Sequence, residues 1–331
     1  MAKIIGLYHK FKVVWILTVT FVQNKRMIQR ISSLVKGDTV LIITPAKSIE
    51  AKYIKLAIQL FESWGLQVEV GAHALGQHHY FSGTDSERIA DLQWAVNHPT
   101  AKAIICARGG YGTIRIVDEV DYSNFLNNPK WMVGFSDVTV LHNKLHADLN
   151  LPTIHGLAPL YLDQLETDSE TLLTLKKALF GDSLEIDFTP STLNKKGIVT
   201  GTLVGGNLAI LESLIGTSLD IDTEGKILFL EDVSEYAYKI DRMFWSLKKS
   251  GKLKGLRGLV IGGLTDIKQS EAVFGCAIEI VIQELVSEYD FPVAFNFPAG
   301  HQLDNRAIIL GYTYQLSVTN QSCTLKLIQN G

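Results

Sequence analysis

Thr39-Val40-Leu41-Ile42-Ile43-Thr44-Pro45, entered through the turn Gly37-Asp38, is the stretch whose reading decides the fold. Six uncharged residues, all apolar or threonine, have the length of a buried strand, and Pro45 stops it. Ile54, Ala57, Ile58, Phe61 and Trp64 then recur at three- and four-residue spacing, the apolar face of a helix that Gly65 ends. Residues 66–70 read as a second strand. Strand, helix and strand in this order form the repeating unit of a mostly parallel α/β domain.

The pattern continues outward. Thr84-Asp85-Ser86-Glu87 is a capping box, in which the Thr84 hydroxyl and the Glu87 carboxylate each satisfy a backbone donor of the other. It opens a helix carrying Ile89, Leu92, Trp94 and Val96. Residues 103–107 read as a buried strand, a helix is expected from about Thr113, and 131–135 is a strand leading into a helix through Leu149. Residues 161–196 are polar and broken by Gly181-Asp182 and Thr189-Pro190, so they read as a connection with one helix at 171–180. A second domain is expected over 197–331. Its strands are predicted at 227–230 and 259–261, its helices at 240–249 and about 272–288, and its antiparallel strands at 307–328 around Thr319-Asn320-Gln321.

The chain has 331 residues, a length that exceeds one core and predicts two domains. Lys and Arg number 31 against 34 Asp and Glu, a net charge of -3, which gives no general attraction to nucleic acid or anionic lipid. Cys106, Cys276 and Cys323 are odd in number and widely spaced, which argues against a disulfide framework or a structural zinc site and for a reducing, cytoplasmic setting. One segment runs against that setting. Lys10 and Lys12 precede the apolar run 13–22, too short to cross a bilayer at ~20 residues but long enough for a signal peptide core. No small-x-small cleavage pattern follows it. The alternative reading leaves residues 1–34 as an extension outside the fold, with Met27 opening the stretch that leads into the first strand.

Two strand ends carry candidate chemistry. At Gly134-Phe135-Ser136-Asp137 a strand runs straight into a helix, a corner that lifts a hydroxyl from the sheet and sets the next amide at a helix N-terminus. Val138 stands where a G-x-S-x-G elbow has its second glycine, and the competing reading makes Ser136 a simple N-cap. Arg108-Gly109-Gly110-Tyr111-Gly112 lets backbone approach a ligand closely, but Arg115 occupies the last position of a dinucleotide fingerprint. Glu231 at a strand end and His301 in the loop Pro298-Ala299-Gly300-His301 complete a nucleophile, acid and base set in the chain order Ser, Glu, His. His142 and His146 have helical metal-ligand spacing, but Asn143 stands where H-E-x-x-H has Glu, and a surface helix face is the reading carried forward. His78-His79 read as a solvated loop pair and Cys106 as a small core residue.

In this combination the sequence resembles the serine LD-carboxypeptidases, the muramoyltetrapeptide carboxypeptidase family, with microcin C self-immunity peptidases as relatives. The resemblance spans 35–316 and rests on ordered motifs: Gly37-Asp38 and Pro45, Phe81-Ser82-Gly83-Thr84-Asp85 with Glu87-Arg88, and Ala107 to Gly112. It continues through Gly134 to Thr139, His155-Gly156, Gly205-Gly206-Asn207-Leu208, Leu230-Glu231-Asp232 with Asp241-Arg242, and Ala299-Gly300-His301. Departures are Phe135 for the commoner Tyr, Ala46 for Ser, and Ala158 placed before Pro159.

The resemblance implies a flavodoxin-like or Rossmann-like N-terminal domain over 35–160 and a mixed, swivelling β/β/α-like C-terminal domain. It implies Ser136 as nucleophile, Glu231 as acid and His301 as base, with the Asp137 amide and the glycine turn, Gly109 or Gly110, as oxyanion donors. The substrate implied is a murein tetrapeptide losing its terminal D-Ala, with Arg108 or Arg306 to meet its carboxylate. No metal or cofactor, no nucleic acid and no stable membrane association are expected, and a homodimer is. The competing functions are a microcin-type peptidase acting on an aminoacyl nucleotide and a non-catalytic ligand-binding protein.

Overall fold

The computed structural model describes residues 30–269 and 274–328. The apolar run 13–22 and the start of the helix expected at 272 lie outside the described residues. In the first half, β1 (Thr39–Ile43), α1 (Ala51–Ser63), β2 (Gln67–Val70), α2 (Asp85–Asn97) and β3 (Ala103–Cys106) alternate as the pattern predicts. Then come α3 (Ser123–Asn127), β4 (Trp131–Gly134), α4 (Thr139–Leu149), β5 (Thr153–His155) and α5 (Glu170–Phe180). The second half holds β6 (Glu185–Phe188), β7 (Gly197–Asn207), α6 (Leu208–Ser213), β8 (Ile227–Val233), α7 (Ala237–Lys249), β9 (Gly258–Thr265) and α8 (Ile278–Val286). It closes with β10 (Val293–Ala294), β11 (Ile308–Leu310), β12 (Thr313–Val318) and β13 (Cys323–Leu327).

The first sheet has the order β11-β5-β4-β3-β1-β2. Its five N-terminal strands are parallel in the flavodoxin-like order 2-1-3-4-5, which puts the topological switch between β1 and β3. Both faces are covered. Val40 and Ile42 of β1 pack with α1 and α5 residues on one side, and Leu41 and Ile43 with α2, α3 and α4 residues on the other. That two-sided burial is why β1 shows a continuous apolar run and no alternation.

The second sheet, β10-β9-β8-β7-β12-β13-β6, is parallel over its first four strands and antiparallel over the rest. Leu228 and Leu230 of β8 face the helix layer of α6, α7 and α8, while Ile227 and Phe229 point the other way, into a core shared with Ile308 and Leu310.

Three expectations need correction. Residues 31–34 are not an extension: Ile31 and Leu34 are buried in the first core, and Leu34 N donates to Leu179 O at 2.8 Å. The stretch 161–196 is more than a connection, because α5 buries Leu172, Leu175 and Leu179 against the first sheet and β6 pairs with β13 at the edge of the second. The helix expected from Thr113 is two 3-10 turns, Thr113–Arg115 and Val117–Glu119, followed by the short α3. Gly112, with φ 136°, aims the chain off a helical path there. The C-terminal segment forms antiparallel strands as expected, β12 with β13 and β7, and its first strand, β11, pairs antiparallel with β5 of the first sheet.

Candidate active site

All four residues of β4 are buried, Phe135 continues extended, and Ser136 turns the chain with φ 64°. A non-glycine residue in the left-handed region costs roughly 1–2 kcal/mol, so the surroundings must hold it. They do so through two close approaches. A Cβ on Gly134 would lie 2.9 Å from the Val138 side chain, and one on Gly109 would lie 2.9 Å from the Ser136 Cβ. The N-cap reading of Ser136 is not realised, since no side chain caps either the 3-10 turn at Ser136–Val138 or α4. Its Oγ lies 3.1 Å from His301 Nε2 instead.

The glycine turn lies against this corner. Arg88, brought in by the capping-box helix α2, is buried and donates from Nη1 to Pro45 O at 2.6 Å and to Gly112 O at 3.0 Å, while Nη2 pairs with Asp85. From the other side Asp137 Oδ2 accepts from Thr113 N at 2.9 Å. Burial pushes the Asp137 carboxyl up from its ordinary value, against the pull of the Thr113 and Gly112 bonds. The Gly110 and Asp137 amides donate no backbone bond among the described residues; Asp137 follows Ser136 directly, and Gly110 follows Gly109, the glycine that approaches Ser136.

Glu231 and His301 come from the second sheet. Glu231 is fully buried on β8, and His301 sits in the loop between β10 and β11. His301 Nδ1 is 2.6 Å from Glu231 Oε2, which also accepts from His301 N at 3.2 Å. A Cβ on Gly300 would come within 2.6 Å of the Glu231 Cβ, so only glycine lets the loop pass here. Burial works against the His301 cation, but the Glu231 charge and hydrogen bond outweigh it and hold His301 above 6.5. Burial likewise raises Glu231, and the His301 charge and bond bring it net below its usual range. The geometry is that of a base joined to a hydroxyl on one nitrogen and to a carboxylate on the other. The 3.1 Å separation is within hydrogen-bond reach, as a nucleophile and base pair requires.

Other predicted residues fall elsewhere. His142 and His146 do not form a solvated face: α4 buries His142, whose Nε2 bonds Gly134 O at 3.0 Å, and burial depresses the pair to about 3 and about 4. Cys106 is a core residue, 3.7 Å from Met132 Sδ. His78 and His79 are exposed. Arg306 is held by Asp304 at 3.0 Å, whereas Arg108 donates to Ser48 O at 2.7 Å and has no carboxylate partner among the described residues.

Three contributors had no role in the sequence reading. Asn207 Nδ2 donates to Asp232 Oδ1 at 3.0 Å while its own N donates to Thr139 Oγ1 at 3.1 Å, bridging the Glu231 strand to the helix that follows Ser136. Asp232, raised to about 6 by burial and by Glu231, is the hub of that bridge. His155 is fully buried between Phe135 and Phe229, with ring centroids at 5.8 and 5.0 Å. Asn207 and His155 lie in motifs of the resemblance, and a polar residue ending a strand was the available signal.

Comparison with known proteins agrees over most of the length. A family model described as the LD-carboxypeptidase N-terminal domain matches residues 40–156, and one described as the LD-carboxypeptidase C-terminal domain matches 200–316. A probable murein peptide carboxypeptidase of Bacillus subtilis (strain 168) is 35% identical over 300 residues, 89% of this chain and 93% of the relative. A muramoyltetrapeptide carboxypeptidase crystal structure from Oxalobacter formigenes superposes with TM-score 0.80 at 28% identity, covering 87% of this chain and 98% of that one. A microcin C7 self-immunity protein in complex with aspartyl sulfamoyl adenosine gives TM-score 0.79 at 20% identity, covering 90% and 98%, a likeness of fold.

Proposed function

The chain belongs to the LD-carboxypeptidase family, and from that premise we propose that it releases the terminal D-Ala of murein tetrapeptides with Ser136 as nucleophile, His301 as base and Glu231 as orienting acid. The observation that carries this is the continuous contact from Glu231 Oε2 through both His301 nitrogens to Ser136 Oγ, at 2.6 and 3.1 Å.

In this reading His301 Nε2 takes the Ser136 proton as Oγ attacks the carbonyl on the L side of the bond. The oxyanion meets the Asp137 and Gly110 amides, which point at developing charge from a helix start and a glycine turn. His301, now a cation steadied by Glu231, gives its proton to the departing amine of the D-residue. Water then enters by the same path in reverse: His301 takes its proton, the hydroxide attacks the acyl-serine, and Ser136 recovers its proton. The reading includes a cytoplasmic homodimer, carried over from the family and tested by fractionation and sedimentation.

The deciding experiment incubates the protein with a murein tetrapeptide and with an aminoacyl nucleotide and follows products by mass spectrometry. Release of D-Ala, abolished in Ser136→Ala with the fold retained, is the expected result. Cleavage of the nucleotide alone, or near wild-type release by Ser136→Ala, would sink the reading.

A further inference from the structure

We propose that the outward face of α7, the line Tyr238, Arg242, Trp245 and Lys249, docks the protein reversibly on an anionic lipid surface. None of these side chains belongs to the catalytic set, so the surface is independent of the catalytic reading.

α7 buries Ile240, Met243, Phe244 and Leu247 in the helix-side core of the second sheet. The face opposite such a stripe is ordinarily charged and polar. Here it also carries large rings: Tyr238 is 42% exposed and Trp245 43%, with Arg242 and Lys249 exposed beside them. On a helix of about 3.6 residues per turn, positions 238, 242, 245 and 249 fall within about 60° of one another along about 16 Å. Ring and cation alternate down that line, and the cations lie over the rings. Arg242 is 5.7 Å from the Tyr238 centroid and Lys249 5.6 Å from that of Trp245, where Lys248 also stands at 5.0 Å. Exposed apolar residues scattered singly are ordinary on a protein surface, but an aligned and alternating set marks a contact surface.

The charge is as local as the rings. Residues 236–265 hold seven basic residues and one acidic residue, Asp241, in a chain whose net charge is -3. Lys239, Lys248 and Lys252 are paired with Glu235, Glu288 and Asp220, whereas Arg242 and Lys249 have no carboxylate partner among the described residues. A cationic, aromatic strip calls for an anionic partner, and two observations favour lipid over nucleic acid. Stacking a base needs a free ring face, and here cations already stand over the Tyr238 and Trp245 rings. At a bilayer surface that arrangement is the useful one, since the rings sit at headgroup depth while Arg and Lys reach the phosphates. The second observation is in the sequence, where Lys10, Lys12, Lys25 and Arg26 flank the apolar run 13–22 outside the described residues. Lasting attachment takes two elements of this basic and apolar kind, and one alone holds weakly. At 13 residues α7 is too short to cross a bilayer, which takes ~20, and its inner face is committed to the core.

The test is co-sedimentation of the full chain with vesicles of phosphatidylcholine alone and of phosphatidylcholine mixed with phosphatidylglycerol, at low and at physiological ionic strength. Wild type should prefer the mixed vesicles by roughly tenfold or more, a preference that shrinks as salt screens the charges. Lys249→Gln should weaken binding to them about fivefold, the worth of one basic residue there. Trp245→Ala should weaken it about tenfold, because the exposed part of an indole no longer leaves water. Lys55→Gln makes the same charge change at an exposed position of α1 and should stay within about twofold of wild type. All three variants should keep the wild-type melting curve. Wild type without the preference overturns the proposal, as does Lys55→Gln that binds as poorly as Lys249→Gln. Equal binding by wild type, Lys249→Gln and Trp245→Ala also overturns it and assigns the attachment to another part of the chain. Labelled single-stranded DNA held more tightly than the mixed vesicles, and lost in the same two variants, gives the face to nucleic acid. A dimer that Trp245→Ala dissociates with vesicle binding unchanged gives it to a second copy. Either result refutes docking on lipid.

Discussion

Replacing Glu231 by Gln isolates what the buried charge does. The Oε2 position receives two donors, His301 Nδ1 at 2.6 Å and His301 N at 3.2 Å. Oε1 has no hydrogen-bond partner. A glutamine therefore settles with its oxygen on the Oε2 position, and the His301 tautomer that leaves Nε2 free for Ser136 is kept. What is lost is attraction between a carboxylate and the imidazolium that forms during attack. Charges about 4 Å apart at an effective dielectric near 20 interact by about 4 kcal/mol, so kcat/KM should fall on the order of 1,000-fold. The acid limb of the pH profile moves down with it, because without Glu231 burial, which lowers the His301 pKa, is opposed only by the smaller pull of the Asp232 charge.

Stability follows the same pair. His301 is raised above 6.5, so its contribution is present below that pH and fades as pH climbs through the raised value. Glu231 is lowered from 4.5, so its contribution is present above 4.5 and fades in stronger acid. The difference in melting temperature between wild type and Glu231→Gln should therefore change least between those two values and shift on either side of them. D-Ala release across pH, with parallel melts, measures both effects. A variant within tenfold of wild type, or an acid limb that stays in place, would refute the account.

In wild type the rate should rise with pH along a limb centred above 6.5, since the raised His301 must be neutral to accept the Ser136 proton; a limb centred near 5 in a pH–rate profile would contradict it. Gly109→Ala sets a methyl 2.9 Å from the Ser136 Cβ without demanding a forbidden φ. A displacement of roughly 1 Å at a reacting atom costs about 100-fold, so kcat should drop that far while the melting temperature changes little; wild-type kcat would mean the corner yields freely. Arg88→Met leaves Pro45 O without its side-chain donor, while Gly112 O keeps Arg115 N at 3.1 Å. Each buried unpaired group costs about 1–3 kcal/mol, and denaturant unfolding should show a loss in that range, with kcat reduced because the glycine turn loosens. His155→Phe preserves the ring contacts to Phe135 and Phe229 and should retain the fold by circular dichroism. Burial lowers His155 to about 4, so its ring is neutral where the acid limb falls, and the pH profile should stay in place; a limb that moves would mean that His155 carries charge in the working enzyme.

The first domain was legible because burial on both sheet faces leaves a plain signature: β1 and β3 are apolar throughout, and α1 shows its buried stripe at Ile54, Ala57 and Phe61. The capping box at Thr84 and Glu87 forms as read. The site was legible only through its motifs. Local sequence favoured an N-cap at Ser136, and nothing near Glu231 indicates that a histidine 70 residues later will reach it. Periodicity also failed where cover comes from distant chain. His142 and His146 look like a polar stripe, yet α4 is roofed by α6 and by Leu219 O, which accepts from Asn143 Nδ2 at 3.2 Å. The alternation at 307–328 marks antiparallel strands without naming their partners, because a strand's partner is not written in its own residues. β11 pairs with β5 rather than with its neighbour in sequence.

That one strand accounts for much of the site. The His301 loop leaves the second sheet at β10, which pairs with β9, and enters the first sheet at β11, which pairs with β5. β5 in turn pairs with β4, the strand that delivers Ser136. His301 is therefore tethered to both sheets, and its distance from Ser136 is set by two hydrogen-bonded ladders and not by the loop alone. The contacts nearest the triad act in the same direction. Gly206 faces Thr139 so closely that a Cβ would sit 2.7 Å from its Oγ1, and Asn207 N bonds that same oxygen. Thr139 opens α4, three residues beyond Ser136. Any motion that separates the sheets must break the β11–β5 ladder and the Asn207–Thr139 bond before it lengthens the His301–Ser136 contact. Glu231 and His301 can therefore sit on one half of the molecule and Ser136 on the other without loss of registry, so under the proposed function substrate entry is expected through loops at the carboxyl ends of β1, β3 and β4 and not through opening of the two sheets.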